Sequence, residues 1–137
     1  MERVTKSRED YLEAILMIRE EKGYCFSVDI ARRLSFSKPS VSVAIKNLER
    51  DGYIRRIEND IQLTETGHEI ASRTLEKHRF FTEVLQSIGV SAAMAEHDAC
   101  LIEHHISEES YRKVKACWEG WPHRGDIHMR GRMEERF

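Results

Sequence analysis

A chain of 137 residues, 40% of them hydrophobic, can bury one compact core or two small ones, which excludes a large multidomain enzyme. No apolar run approaches the roughly 20 residues of a membrane span, and the charged start MERVTKSRED has no signal-peptide core, so a cytoplasmic protein without a membrane partner is expected. A formal net charge of -2 excludes coating nucleic acid by bulk charge but leaves room for a local basic patch, and the three cysteines, Cys25, Cys100 and Cys117, read as reduced thiols.

From Thr5 to about Glu21, apolar Tyr11, Leu12, Ile15 and Ile18 recur at helical spacing, and Gly23 closes the run. Ser27 reads as the N-cap of a second helix, VDIARRL, with Val28, Ile30, Ala31 and Leu34 as its buried residues. A short link, SFSKP, leads to a third helix in which Ser37 caps, Pro39 occupies the first turn, and Val41, Ile45 and Leu48 form the inward stripe. After Gly52, YIRRI and IQLT are short β-prone runs separated by a polar turn at Glu58, Asn59 and Asp60. Helix, turn, helix and then a two-stranded ribbon is the winged-helix order, in which the third helix enters the major groove and the ribbon touches the backbone. Thr64 caps a long helical run ending at Gly89, and two shorter helices follow, roughly Ser91 to His105 and Ser107 to Trp118. The remaining tail, which contains His123 and His128, has no periodicity and is expected to be mobile.

With Val41, Ile45 and Leu48 inward, Pro39, Val43, Lys46, Asn47 and Arg50 point outward on the third helix. Together with Ser37, Ser40 and Ser42 they form the candidate DNA-reading set: an exposed Val43 suits thymine methyl groups, and the serines and Asn47 suit phosphates or base edges. Between Ser27 and Arg56, seven basic residues stand against three acidic ones, a local net charge of +4. The ordinary reading, a solvated helix face, is the weaker one because the wing follows in register.

The segment DACLIEHHIS raises a different chemistry. Cys100, Glu103 and His104 stand at i, i+3 and i+4, so on a helix their donor atoms project into one small volume. Candidates for the remaining ligands are Asp10 and Glu13, at i and i+3 on the first helix, and His78 in EKHRFF. Taken singly, each of these is more often a solvated or hydrogen-bonded surface residue.

The order of parts resembles the diphtheria toxin repressor family of metal-dependent regulators, and more closely its short branch, the manganese transport regulators. The carriers are DYLEAIL, VDIARRLSFSKPSVSVAIKNLERDGYI, LTETG, EKHRFF and DACLIEHHIS, from about Ser7 to Lys115. The resemblance implies metal ligands at Asp10, Glu13, His78, Cys100, Glu103 and His104. It also implies a mainly α fold: a winged helix-turn-helix DNA-binding domain over 1–72 and an all-helical dimerisation and metal-binding domain over 73–120. A flexible tail at 121–137 would follow, without the SH3-like domain of longer members. Asp10 and Glu13 follow the manganese pattern, whereas Cys100 matches the iron-responsive branch. Hard oxygen ligands favour Mn2+ and a thiolate favours softer ions, so the hybrid set points to Mn2+ or Fe2+, with Co2+ or Zn2+ as substitutes in vitro.

The implied function is a repressor of metal-uptake genes, a homodimer on palindromic double-stranded operator DNA, in which the ion narrows the reader orientations to the spacing of two half-sites. Leu101, Ile102, Ile106 and Val114 are the candidate dimer contacts, with filling of the monomer's own core as the alternative role. Three rivals remain open at this point: a metalloenzyme using the same cluster, a winged-helix thiol redox sensor using Cys100 or Cys117, and a purely structural zinc site.

Overall fold

The computed structural model describes residues 6–121, over which the elements run α1 (Lys6–Lys22), α2 (Ser27–Leu34), α3 (Lys38–Arg50), β1 (Ile54–Ile57), β2 (Asp60–Leu63), α4 (Glu65–Ser87), α5 (Ala92–His105) and α6 (Glu108–Glu119). The chain divides into two compact units between Thr74 and Leu75, inside α4. It is a winged helix followed by an all-helical domain, the mainly α architecture expected. The tail with His123 and His128 lies outside the described residues.

In the first unit the core is built from Leu12, Ile15, Ile30, Val41, Ile45, Leu48, Ile54 and Ile61, all but fully buried, each side chain contributing on the order of 1.5–3 kcal/mol of burial free energy. The inward stripe of α3 is the one its spacing predicts. Burial on α1 is broader than the predicted stripe, running unbroken from Tyr11 to Leu16, so that Glu13 is itself buried.

Gly23 ends α1 with φ +81, a left-handed conformation that costs a residue without Cβ little. The next residues then run beside the wing: the Ile61 amide donates to the Cys25 carbonyl at 2.8 Å. Asp60 secures the junction, its carboxylate accepting from the Cys25 amide at 2.9 Å and from Arg19 at 2.7 Å. Asp60 is therefore the first residue of β2, where the sequence pattern assigns it to the turn. The hairpin pairs Ile57 with Asp60 and Ile54 with Leu63, leaving a two-residue loop, Glu58 and Asn59, with Glu58 at φ 59.

The start of α2 also departs from expectation. Phe26, not Ser27, is the N-cap, and the Asp29 carboxylate accepts the Phe26 N–H at 2.9 Å while pairing with Lys22 at 2.8 Å. The helix starts one residue earlier than expected, Val28 is exposed and Leu34 is only half-buried, whereas Ile30 and Ala31 are inside. Ser37 does cap α3, accepting the Ser40 N–H at 3.3 Å, with Pro39 in the first turn.

At the start of α4, Thr64 accepts the Gly67 N–H at 3.2 Å and donates its hydroxyl to the Gly52 carbonyl at 2.7 Å. Gly67 packs flat against the backbone of Tyr53: a Cβ there would stand 2.9 Å from the Tyr53 carbonyl carbon and nearer still to its oxygen. Absence of a side chain is thus what lets α4 leave the wing at this point.

In the second unit Phe80, Phe81, Ala99, Tyr111 and Trp118 form the core, with Val84, Ile102 and Ile106 packed on it. Phe80 and Tyr111 meet edge to face at 5.6 Å. Lys77 and Lys115 both lie over the Tyr111 ring, at 5.6 and 5.9 Å, and pair with Glu108 at 2.9 Å and with Glu76 at 2.5 Å. These contacts hold the second half of α4 against α6. Ser91 and Ser107 cap α5 and α6, accepting from Met94 and Ser110.

Candidate metal centre and nucleic-acid interface

The reader face can be built from α3 outward. Because Val41, Ile45 and Leu48 are 0–1% exposed, the opposite side of the helix must face solvent, and Val43 is 60% exposed there. Ser37, Pro39, Ser40, Ser42, Lys46 and Arg50 are likewise exposed, and Asn47 is half-buried. The candidate DNA set therefore lies on one accessible surface. At its C-terminal end Arg50 approaches Asp51 at 3.1 Å, and Arg56 of β1 pairs with Glu49 at 3.1 Å, tying wing to reader helix. A cleft of about 310 Å3 opens between the α2 start and the wing, lined by Phe26, Ser27, Val28, Arg56 and Asn59. Phe26 and Val28 were invisible as surface residues in the sequence, because that inference depended on where α2 begins.

In the second unit α5 carries Cys100, Glu103 and His104, and their donor atoms lie within 4.8 Å of one another, as the i, i+3, i+4 spacing predicts. His78 reaches the same place from α4, its Nδ1 2.9 Å from one Glu103 oxygen, while His104 Nε2 stands 3.1 Å from the other. The Glu103 side chain is fully buried and that of His104 nearly so, at 1% exposed. A carboxylate removed from water is costly unless cationic or polar partners compensate it. Two imidazoles converging on one buried carboxylate, with a thiol one helical turn away, form a donor set that suits a divalent transition ion. His78 also lines a cleft of about 530 Å3, with Arg79, Thr82, Glu83, Gln86, Ser87 and Glu96.

Asp10 and Glu13 belong to the first unit, one turn apart on α1, with Asp10 half-buried and Glu13 9% exposed. His97 lies on the surface beside Asp98 at 3.1 Å, and His105 is exposed, so neither joins the His78–Glu103–His104 cluster. Of the thiols, Cys25 is wholly buried and burial pushes it up to about 12, which keeps it an inert thiol; Cys100 is half-buried and Cys117 exposed. The candidate dimer residues divide: Ile102 and Ile106 pack on the unit's own core, whereas Leu101 and Val114 are 45% and 41% exposed.

Comparison with known proteins bears on both halves. Residues 3–57 match the model of the iron dependent repressor N-terminal DNA binding domain, and residues 64–120 match that of the iron dependent repressor metal binding and dimerisation domain. The chain belongs to the iron-dependent repressor family. This is the diphtheria toxin repressor family that the motifs resemble. The HTH-type transcriptional regulator MntR of Geobacillus thermodenitrificans is 38% identical over 111 residues, 80% of this chain and 79% of the relative. The crystal structure of T. acidophilum IdeR matches with a TM-score of 0.72 and 32% identity over 87% of this chain. The manganese regulator SloR shares the fold, with a TM-score of 0.72 and 24% identity over 85% of this chain. This chain spans only about half of those two structures, 56% of IdeR and 55% of SloR.

Proposed function

We propose that the chain is a metal-activated repressor of metal-uptake genes, acting in the cytoplasm as a homodimer on operator DNA, with Mn2+ or Fe2+ as the activating ion. The observation that carries this reading is the buried carboxylate of Glu103 met by His78 and His104, in the segment that matches the metal binding and dimerisation model. The family is one of transcriptional regulators, and the chain is not an enzyme.

His78, Cys100, Glu103 and His104 would hold the ion, with Asp10 and Glu13 supplying hard oxygen ligands from α1; the motif resemblance supports these last two. A bound ion would supply positive charge against the carboxylates and a ligand position for the Cys100 sulfur. Because Asp10 and Glu13 stand on the reader's first helix, ligating them ties the reader to the helical module. That narrows the reader orientations and lowers the ordering cost of docking on two half-sites. Linkage then requires DNA to tighten ion binding by the same factor. On α3, Ser37, Pro39, Ser40, Ser42, Val43, Lys46, Asn47 and Arg50 meet the major groove and flanking phosphates. Leu101 and Val114 supply apolar surface for the dimer contact, and Ile102 and Ile106 support it from the core side.

The test is anaerobic fluorescence anisotropy on the DNA upstream of this protein's own gene, in chelator or with Mn2+, Fe2+ or Zn2+ at fixed salt. Tight binding only with Mn2+ or Fe2+, abolished by Glu103→Ala and by His104→Ala in folded protein, is the expected result. Equal binding in chelator, or an intact metal response in both variants, overturns it.

A further inference from the structure

On α4 the two residues that precede His78 carry opposite charges, and each meets its opposite on α6. Lys77 Nζ lies 2.9 Å from Glu108 Oε2, and Lys115 Nζ lies 2.5 Å from Glu76 Oε1. Glu108, Tyr111 and Lys115 stand at i, i+3 and i+7, so they share one face of α6, with its two charged ends about 10.5 Å apart along the axis. Tyr111 lies between them on that face. It is buried, takes Phe80 and Phe81 of α4 against its ring at 5.6 and 6.1 Å, and has the ammonium groups of Lys77 and Lys115 over the same ring. The Lys77 side chain is packed away with it, at 15% exposed. Lys115 holds the Glu76 carboxyl below its usual range, so both partners of that pair are charged at neutral pH.

We infer that these two ion pairs, with Tyr111 between them, are a key that sets the rotation of α4 and so turns His78 toward Glu103. The physical basis is the alternation of charge. Adjacent residues on a helix are about 100° apart, so a rotation of α4 that carried Lys77 into the place of Glu76 would bring it to Lys115, like charge to like. The same rotation would carry His78 away from Glu103. The observed setting satisfies both pairs and leaves His78 Nδ1 2.9 Å from a Glu103 oxygen on α5. Each pair is partly exposed and by itself contributes little stability. Two of them, two turns apart on α6, supply a preference for one setting over its neighbours, because the neighbouring setting is repulsive. A ligand side chain must be held within about 0.5 Å of its productive place, so residues outside the ligand set govern how well His78 serves an ion. Glu76, Lys77, Glu108, Tyr111 and Lys115 are thus positioning residues. The inference rests on the proposed reading of His78 as an ion ligand.

The experiment titrates the full metal-free chain with Co2+ against a competing chelator, following the Co2+ absorption bands, with thermal melts in chelator confirming the fold. The variants are His78→Ala, the exchanged pair Glu76→Lys with Lys115→Glu, and Lys115→Glu and Lys77→Met, each of these last two also in the His78→Ala background. Lys115→Glu is expected to weaken Co2+ binding about tenfold and to shift the bands toward those of His78→Ala. Lys77→Met, which keeps the packed stem, should weaken it about threefold. The exchanged pair should return to within about twofold of the parent, and in the His78→Ala background neither single change should alter affinity by more than about twofold. A merely structural contact behaves differently: the same loss then appears with or without His78, or the exchanged pair recovers nothing. Either result, or parent affinity in both Lys115→Glu and Lys77→Met, overturns the inference and leaves the ligand reading standing. Lys77→Met decides the matter if Lys115→Glu does not fold. Parent affinity in His78→Ala overturns both.

Discussion

Gly67→Ala sets two opposing effects against each other, and the structure decides which wins. In an unconstrained helix interior alanine is favoured over glycine by about 1 kcal/mol. Here the added Cβ would stand 2.9 Å from the Tyr53 carbonyl carbon and 3.4 Å from its Cα, with the oxygen nearer still. Comfortable contacts begin near ~3.5 Å for carbon and only slightly closer for oxygen, so the oxygen sets the limit and the two backbones must part by more than about 1 Å. That separation strains the Thr64 N–H bond to Tyr53 and the Thr64 hydroxyl bond to Gly52, 3.0 and 2.7 Å long. Overpacking costs typically 1–3 kcal/mol and each weakened hydrogen bond about 1. The propensity gain offsets only part of this, so the reader unit should lose about 2 kcal/mol, on the order of 10 °C in melting temperature for a unit of this size. Operator affinity should fall as well, because Gly52 and Tyr53 lead directly into the wing. Circular dichroism melts and amide exchange at Thr64 and Ile61 measure the effect, with exposed His68→Ala as the control in the same helix. A Gly67→Ala protein that melts within about 2 °C of the parent, with Thr64 still protected, would refute the close-packing argument.

Replacing Cys100 by Glu gives the site one more hard oxygen in place of sulfur and should move its preference toward Mn2+ over Fe2+ and Co2+; competition titrations with the isolated ions read this, and an unchanged ranking would remove Cys100 from the coordination sphere. The reader should also show a defined acid sensitivity. Asp29 is held below its ordinary range first by the Lys22 ion pair and then by the Phe26 N–H, against the opposing effect of burial. A depressed carboxyl contributes stability that is fully present above its unfolded value, about 3.9, and is lost as pH falls through the folded value. Asp29→Asn should therefore lower the melting temperature at pH 7 and flatten the fall seen in the parent below pH 4. Parallel pH profiles for the two proteins would show that Asp29 contributes no such stability.

Much of this molecule could be read from local pattern, for reasons that are themselves local. The stripe Val41, Ile45 and Leu48 follows from the helical repeat, and the caps at Ser37, Ser91 and Ser107 follow from orphan N–H groups at helix starts. Cys100, Glu103 and His104 share a face because i, i+3 and i+4 always do on a helix. Sequence distance hides the rest. That His78 meets Glu103 depends on α4 packing against α5, with Lys77, Tyr111 and Lys115 holding α4 to α6. Asp60 looks like a turn residue until Arg19 and the Cys25 amide converge on it. Asp29 takes over the start of α2 because Lys22, across the loop, makes a buried carboxylate affordable there. Gly67 reads as an unremarkable helix glycine and becomes indispensable only where Tyr53 passes beneath it. Helical periodicity and capping are properties of neighbours along the chain, so composition and spacing determine them. Convergence of charges and close backbone approach arise between segments far apart in sequence, so they exist only once the chain is folded.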